Sequence, residues 1–311
     1  MMRWLLIILI LNLGCESVVS VDRAEVSPVH LTVLGVAQDA GYPQAACQKP
    51  CCLLHWNGKE PARKVVSLGL TDLRSGRKWM FEATPDFPAQ WEALQQHGQR
   101  SSSPDGIFLT HAHMGHYTGL MYLGREAIGS SNVPVMALPR MLSFLRHHGP
   151  WSQLVRLENI QIDSLQANQP KSLASDISVT PWLVPHRDEF SETAGFLIEG
   201  PEKKALFLPD IDKWSRWDRE LKKVLSNIDH ALIDATFYRN GELPNRDMSE
   251  IPHPFVEETM SILRELSPEE KKKVIFIHFN HTNPLIWDDT ARAEVEANGY
   301  RVAKEGMIID L

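Results

Sequence analysis

Apolar positions fall into short clustered runs parted by polar turns, the pattern of buried strands, with segments of helical spacing between them. Leu31–Val36 is a β-rich run that breaks at Gly35 and opens into the loop QDAGYPQAACQKPCC. Val65–Leu70 and Lys78–Ala83 gather β-formers on either side of the turn Arg74-Ser75-Gly76, which predicts a hairpin. Pro88–His97 carries Trp91 and Leu94 on one helical side, and Ile107–Leu109 is a short strand running straight into a group of histidines. Strands are expected at Val133–Ala137, Ile177–Val184, Gly195–Glu199, Lys204–Leu208, Ala231–Ile233 and Val274–Ile277. Helices are expected at Arg140–His147, Trp217–Leu225, Phe255–Leu266 (opened by Pro254) and Thr290–Asn298 (stopped by Gly299). Arg301–Ala303 and Met307–Leu311 close the chain as strand-like pieces, and neither a repeat nor a low-complexity stretch interrupts the series. Strands alternating with helices, and ending in histidines, predict a layered α/β sandwich.

The first ~20 residues read as an address rather than as structure. Arg3 precedes the apolar run Trp4–Leu13, broken at Asn12 and followed by Gly14-Cys15. About 10 apolar residues are too few to span a bilayer. LNLGC resembles a bacterial lipobox, although Asn12 stands where that motif prefers an aliphatic residue. The resemblance implies a lipid anchor at Cys15 that ties the chain to a membrane; Glu16 suits the outer membrane, facing the periplasm. Cleavage without lipidation and an uncleaved tail are the alternatives. Residues 21–311 are then expected to form one domain. Hydrophobic residues at 43% supply an ordinary core, and a net charge of −7 without a basic block gives no footprint for nucleic acid.

Chemistry concentrates in the histidines, of which there are 13. In THAHMGHYTGL, His111 and His113 project from the same side of an extended segment, and His116 returns as the chain turns, so the three can converge on a metal. Imidazole suits zinc, iron and manganese alike. The stretch resembles the HxHxDH signature of the metallo-β-lactamase fold, with Gly115 in the aspartate position. The resemblance continues in order along the chain through ATPDF, VPHRDEFSETAGFLIE, LFLPDID and IFIHFNHTNP. Within that fold, GVAQDAGYPQ, ATPDFPAQ, DATFY, HFNHTNP and VAKEGMIIDL resemble the coenzyme PQQ synthesis protein B family. The early cysteine loop and the histidine motif also resemble the phosphodiesterase associated with carbon–phosphorus lyase.

These resemblances imply a four-layered αββα sandwich and a set of roles. Asp86 would orient metal ligands. His111, His113 and His186 would hold one metal and His116 and His278 a second, with Asp210 shared. Gly115 removes the second site's own carboxylate, so either one metal is held or the second is held loosely, unless another donor such as Asp39 fills the gap. A bound cation lowers the pKa of its water and polarises the oxygen under attack. Asp234 and His253 resemble the carboxylate–histidine pair that protonates leaving groups in tRNA-processing relatives; a structural Asp and a helix-start His are the plain alternative. Cys47, Cys51 and Cys52 with His281 would form a structural zinc site of the Cys3His type, although the spacing departs from the families' CxCxxC, with Lys49 at the middle cysteine and Cys51 extra; the alternative is a disulfide plus one thiol.

Three functions follow. The leading one is a metal-dependent hydrolase of a small-molecule phosphodiester, lactone or other ester. The second is processing of a quinone-cofactor precursor, with iron-dependent oxidation. The third is a non-catalytic binding lipoprotein, for which Gly115 is the best support.

Overall fold

The computed structural model describes residues 27–244 and 246–311; the expected export segment at 1–20 and the candidate anchor Cys15 lie outside the described residues. Strands β1 (Val29–Gly35), β2 (Ser67–Asp72), β3 (Arg77–Phe81), β4 (Gly106–Phe108), β5 (Val133–Ala137) and β6 (Ile160–Ser164) build a first sheet in chain order. Strands β7 (Lys171–Ala174), β8 (Ile177–Leu183), β9 (Ala194–Glu199), β10 (Lys204–Leu208), β11 (His230–Asp234), β12 (Val274–Ile277) and β13 (Arg301–Val302) build a second. β14 (Ile308–Asp310) then returns to the first sheet and pairs with β1. The helices are α1 (Pro50–Trp56), α2 (Phe87–Leu94), α3 (Met114–Tyr117), α4 (Pro139–His147), α5 (Trp151–Arg156), α6 (Leu221–Leu225), α7 (Val256–Ile262), α8 (Pro268–Lys271) and α9 (Asp289–Ala297). They flank the paired sheets, giving the αββα sandwich of the metallo-β-lactamase fold.

Period-2 alternation assigns each strand residue to a layer. On β3 and β4, Met80 and Ile107 join Phe87, Leu94, Met141 and Leu145 under the helices, while Phe81 and Phe108 point between the sheets. There Phe81 stacks on Phe108 at 5.0 Å, and Phe196 and Phe207 of the second sheet close on Phe81 at 5.7 and 6.1 Å. This bridge between the sheets lies directly beneath the strand ends that carry the histidines.

β3–β6 run parallel to one another, as do β10–β13. Parallel strands place their C-terminal ends on one edge, so the loops after β3, β4, β10, β11 and β12 gather there.

The expected hairpin joins β2 and β3. Other expectations need correction. The loop QDAGYPQAACQKPCC runs into α1, because Pro50 opens a short helix on which Cys51 and Cys52 are buried. The helix expected at Trp217–Leu225 starts only at Leu221: Trp217 is extended and donates its indole N–H to the Leu183 carbonyl at 3.2 Å, after a 3-10 turn at Trp214–Arg216. The helix expected to Leu266 ends at Ile262. Strands β6 and β7 and helix α5 were absent from the pattern because they alternate few apolar residues; β6 and β7 are sheet-edge strands, and β6 buries only Ile160.

Gly119 lies on the 3-10 turn that follows α3, with its N–H on the Ala83 carbonyl at 2.8 Å. A Cβ there would stand 2.0 Å from the Thr84 carbonyl oxygen. Gly119→Ala is therefore expected to lower unfolding free energy by about 1–3 kcal/mol, the usual cost of forced overpacking. An unchanged urea midpoint would refute this close approach.

Candidate metal centre

Most polar side chains of the centre lie at or just after a strand end, while His116 is on α3 and His253 precedes α7. After β4, the Thr110 carbonyl accepts from the Ala194 amide at 3.1 Å and the Ala112 amide donates to Ser191 Oγ at 2.9 Å, so the first histidines are pinned to the second sheet. The chain turns through α3, and the His116 carbonyl accepts from the Ala83 amide at 2.9 Å. His186 follows β8, Asp210 follows β10, Asp234 ends β11 and His278 follows β12.

These residues meet around Asp210. Its oxygens lie 3.4 Å from His111 Nε2, 3.3 Å from His186 Nε2 and 3.3 Å from His253 Nδ1. His116 Nε2 and His278 Nε2 follow at 3.7 and 3.8 Å. One group of donors is His111, His113, His186 and Asp210; a second is Asp39, His116, Asp210 and His278; a third is Asp210, Asp234 and His253. Within each group the donor atoms lie within 4.8 Å of one another.

A surrounding layer orients the rings. Thr110 Oγ1 lies 2.8 Å from His111 Nδ1, Asp212 Oδ1 3.4 Å from His186 Nδ1, and Thr236 Oγ1 2.9 Å from His278 Nδ1. Such partners fix the ring nitrogen that faces a metal. The expectation for Asp86 is corrected here: its carboxylate accepts from the Val65 amide at 2.8 Å and is the wrong group for a ligand ring. Glu82, fully buried with its Oε1 3.4 Å from His116 Nδ1, takes that place. Sequence reasoning missed Glu82, Asp212, Thr110 and Thr236. The available signal was position, since all four lie within two residues of a strand end or a ligand.

Asp234 is held rigidly: it accepts from the Ile211 amide at 3.0 Å and from the Thr236 amide and hydroxyl at 2.8 and 2.7 Å. Its other contact is His253 Nδ1 at 2.8 Å.

Charge at the centre is strongly coupled to burial. Desolvation alone would raise the Asp210 carboxyl, but the His186, His278, His253 and His111 imidazoles outweigh it and hold Asp210 well below the carboxylate range. Burial pushes His111 far down and His113 down, leaving both neutral near pH 7, the form that binds a cation. Burial opposes the charged form of His116, yet the Asp39 and Glu82 carboxylates raise it well above the ordinary value. His253 is pushed up to about 9, since Asp234 and Asp210 overcome its desolvation.

Several buried atoms facing Asp210 have no hydrogen-bond partner, among them His186 Nε2, Asp210 Oδ1 and His278 Nε2. Buried polar atoms are normally paired, and a cation shared by these lone pairs satisfies them together. The residues present therefore fit a metal.

The β-lactamase superfamily domain model matches residues 77–279, a span that contains the histidine motif, Asp210 and His278. The chain belongs to that superfamily. Coenzyme PQQ synthesis protein B of Methylorubrum extorquens (strain PA1) is 26% identical over 307 residues, covering 91% of this chain and all of the relative. Among solved structures, zinc-bound PqqB from Methylobacterium extorquens superposes with a TM-score of 0.75 at 23% identity, over 91% of this chain and 100% of the other. A diphosphatase of the PhnP family superposes with a TM-score of 0.63 at 21% identity, over 90% and 96%. These likenesses establish the metallo-β-lactamase fold.

This superfamily member carries a further donor cluster away from Asp210. Cys47, Cys51, Cys52 and His281 bring their donor atoms within 4.8 Å of one another. Cys51 and Cys52 are both buried in the first turn of α1, and the Tyr42 hydroxyl donates to the Cys51 carbonyl at 2.7 Å. None of the three is in a disulfide. Burial pushes the Cys52 thiol up to about 12, while burial and then Lys49 push His281 down to about 4, leaving its ring neutral.

With a metal at this cluster, all three thiols are expected to be masked in the folded chain carrying Cys15→Ser, which removes the remaining cysteine from the count. They should react together only after denaturation with chelator and without reductant. A single reactive thiol under those conditions would establish a disulfide instead.

Proposed function

We propose that this chain is a metal-dependent hydrolase of a small anionic ester. The observation that carries the reading is the group of orphaned, buried imidazole and carboxylate atoms around Asp210, set beside the Asp234–His253 pair. His111, His113, His186 and Asp210 would hold one cation, and His116, His278 and Asp210 would contribute to a second. A divalent cation there supplies a water that ionises near neutral pH and draws charge from the oxygen under attack. Zinc suits the donor set, and manganese or iron is compatible with it.

The chain's own residues supply the rest. Asp210, wedged among the imidazoles, fixes the distance between the two donor groups. Asp234 cannot turn away, because three donors hold it, so it fixes the tautomer and plane of His253. His253 lines a cleft of about 190 Å³ with Gln38, Arg187, Thr236 and Arg246, which places it to pass a proton to a leaving oxygen. Two guanidinium groups in one small cleft favour an anionic substrate, since planar forks pair well with phosphate or carboxylate.

End-to-end similarity to coenzyme PQQ synthesis protein B supports a second reading, the processing of a quinone-cofactor precursor with iron. Iron content of the purified chain and oxygen consumption separate it from hydrolysis.

The test uses the full chain with bis(p-nitrophenyl) phosphate, a p-nitrophenyl carboxylic ester and an aliphatic lactone. Turnover is expected to vanish with chelator and return with zinc or manganese. His253→Ala is expected to lower kcat by about 10²–10⁴-fold, the usual worth of a general acid, without loss of metal. Arg187→Ala is expected to raise KM for the anionic diester more than for the neutral esters. No hydrolysis of any of the three with zinc, manganese or iron would end the hydrolase reading.

A further inference from the structure

The histidine motif lacks its aspartate at Gly115, yet a carboxylate reaches the second donor group from elsewhere. Asp39 Oδ1 lies 2.9 Å from His116 Nε2 and 3.5 Å from His278 Nε2. Asp39, His116, Asp210 and His278 thus form a four-donor set, as complete as that of His111, His113, His186 and Asp210.

Gly115 is the counterpart of this arrangement. A Cβ built on Gly115 would stand 2.4 Å from Asp39 Cα, 2.7 Å from its Cβ and 2.8 Å from its carbonyl oxygen. Gly115 is not in the left-handed region, so conformation does not call for glycine here; space does. An aspartate at 115 and the Asp39 backbone would claim the same volume.

The loop that carries Asp39 is fixed by main-chain bonds rather than by side chains. The Gln38 amide donates to the Phe279 carbonyl at 2.8 Å, and the Phe279 amide donates to the Val36 carbonyl at 2.8 Å. Ala37 bridges both Val65 and Phe279. The loop is therefore bonded to the residue immediately after His278, and Asp39 keeps its register with that ring. A donor placed this way has the rigid support that a metal site requires.

We propose that Asp39 has taken over the role of the missing motif carboxylate, and that Gly115 is the space that admits it. This rests on the metal-centre reading above. It replaces a loosely held second metal with a fully furnished one, and it removes the reason for reading Gly115 as a sign of lost catalysis.

The test is zinc content per chain, measured by elemental analysis after equilibrating the full chain in a series of zinc buffers. Asp39→Asn keeps the side-chain size and removes the charge. It is expected to shift one zinc per chain to free zinc concentrations about 100-fold higher or more, beyond the usual loss for a supporting partner. Gly115→Ala, which pushes on the Asp39 backbone, is expected to shift the same zinc. Thermal melting of each variant with chelator verifies folding; if Asp39→Asn does not fold, Gly115→Ala carries the test. His113→Ala serves as the control for the other donor group. If His113→Ala loses a zinc and neither Asp39→Asn nor Gly115→Ala shifts one, this inference is overturned and the centre stands. If His113→Ala loses none, the metal-centre reading itself fails, and this inference with it.

Discussion

Asp210 is 2% exposed, and five imidazoles lie within 3.8 Å of its two oxygens. A buried carboxylate is unfavourable unless positive charge or hydrogen bonds compensate it; imidazoles from both sheets surround Asp210, and of these His116 and His253 are raised toward the charged form. The rings come from the ends of β4, β8 and β12 and from the loop leading into α7. For all of them to reach one carboxylate, the sheets must keep a fixed separation at that edge. The contact of Phe81 and Phe108 with Phe196 and Phe207 sets it. Packing beneath the centre and electrostatics within it are in this sense one constraint. A shift of one sheet would break the aromatic bridge and leave Asp210 without part of its compensation.

The same logic explains the carboxylates that surround the rings. Glu82 and Asp39 approach His116 from its two nitrogens, and Asp212 backs His186. The Asp39 and Glu82 carboxylates between them favour the charged form of buried His116. Arg187 and Arg246, by contrast, stand exposed at the cleft.

What was legible in the sequence was what strand periodicity and ligand spacing control. The strands that carry His111, Asp210 and His278 are unbroken apolar runs, so their ends and the residues after them could be located directly. Glu82 was not legible because it directly follows the apolar run WMF, and the family resemblance drew attention to Asp86 four positions later. Asp212 reads as a turn residue after Pro209-Asp210, and only the folded chain shows it against His186. Helix α1 escaped because seven residues with proline and two cysteines have little intrinsic helicity; burial of Cys51 and Cys52 holds it instead. β6 and β7 escaped for a related reason, since sheet-edge strands need no continuous apolar face.

Glu82 and His278 share a feature that bears on how the chain can change. Each directly follows a strand of its sheet and adopts a left-handed backbone, with φ of 76° and 70°. For residues with a Cβ this conformation is unfavourable by about 1–3 kcal/mol. Glycine would relax the chain at either position and would delete the side chain that the centre uses. Selection for heat resistance alone would therefore find gains at the two places where the centre can least spare a side chain. Retaining Glu82 and His278 keeps that strain in the native state, and the surrounding sandwich must be robust enough to carry it.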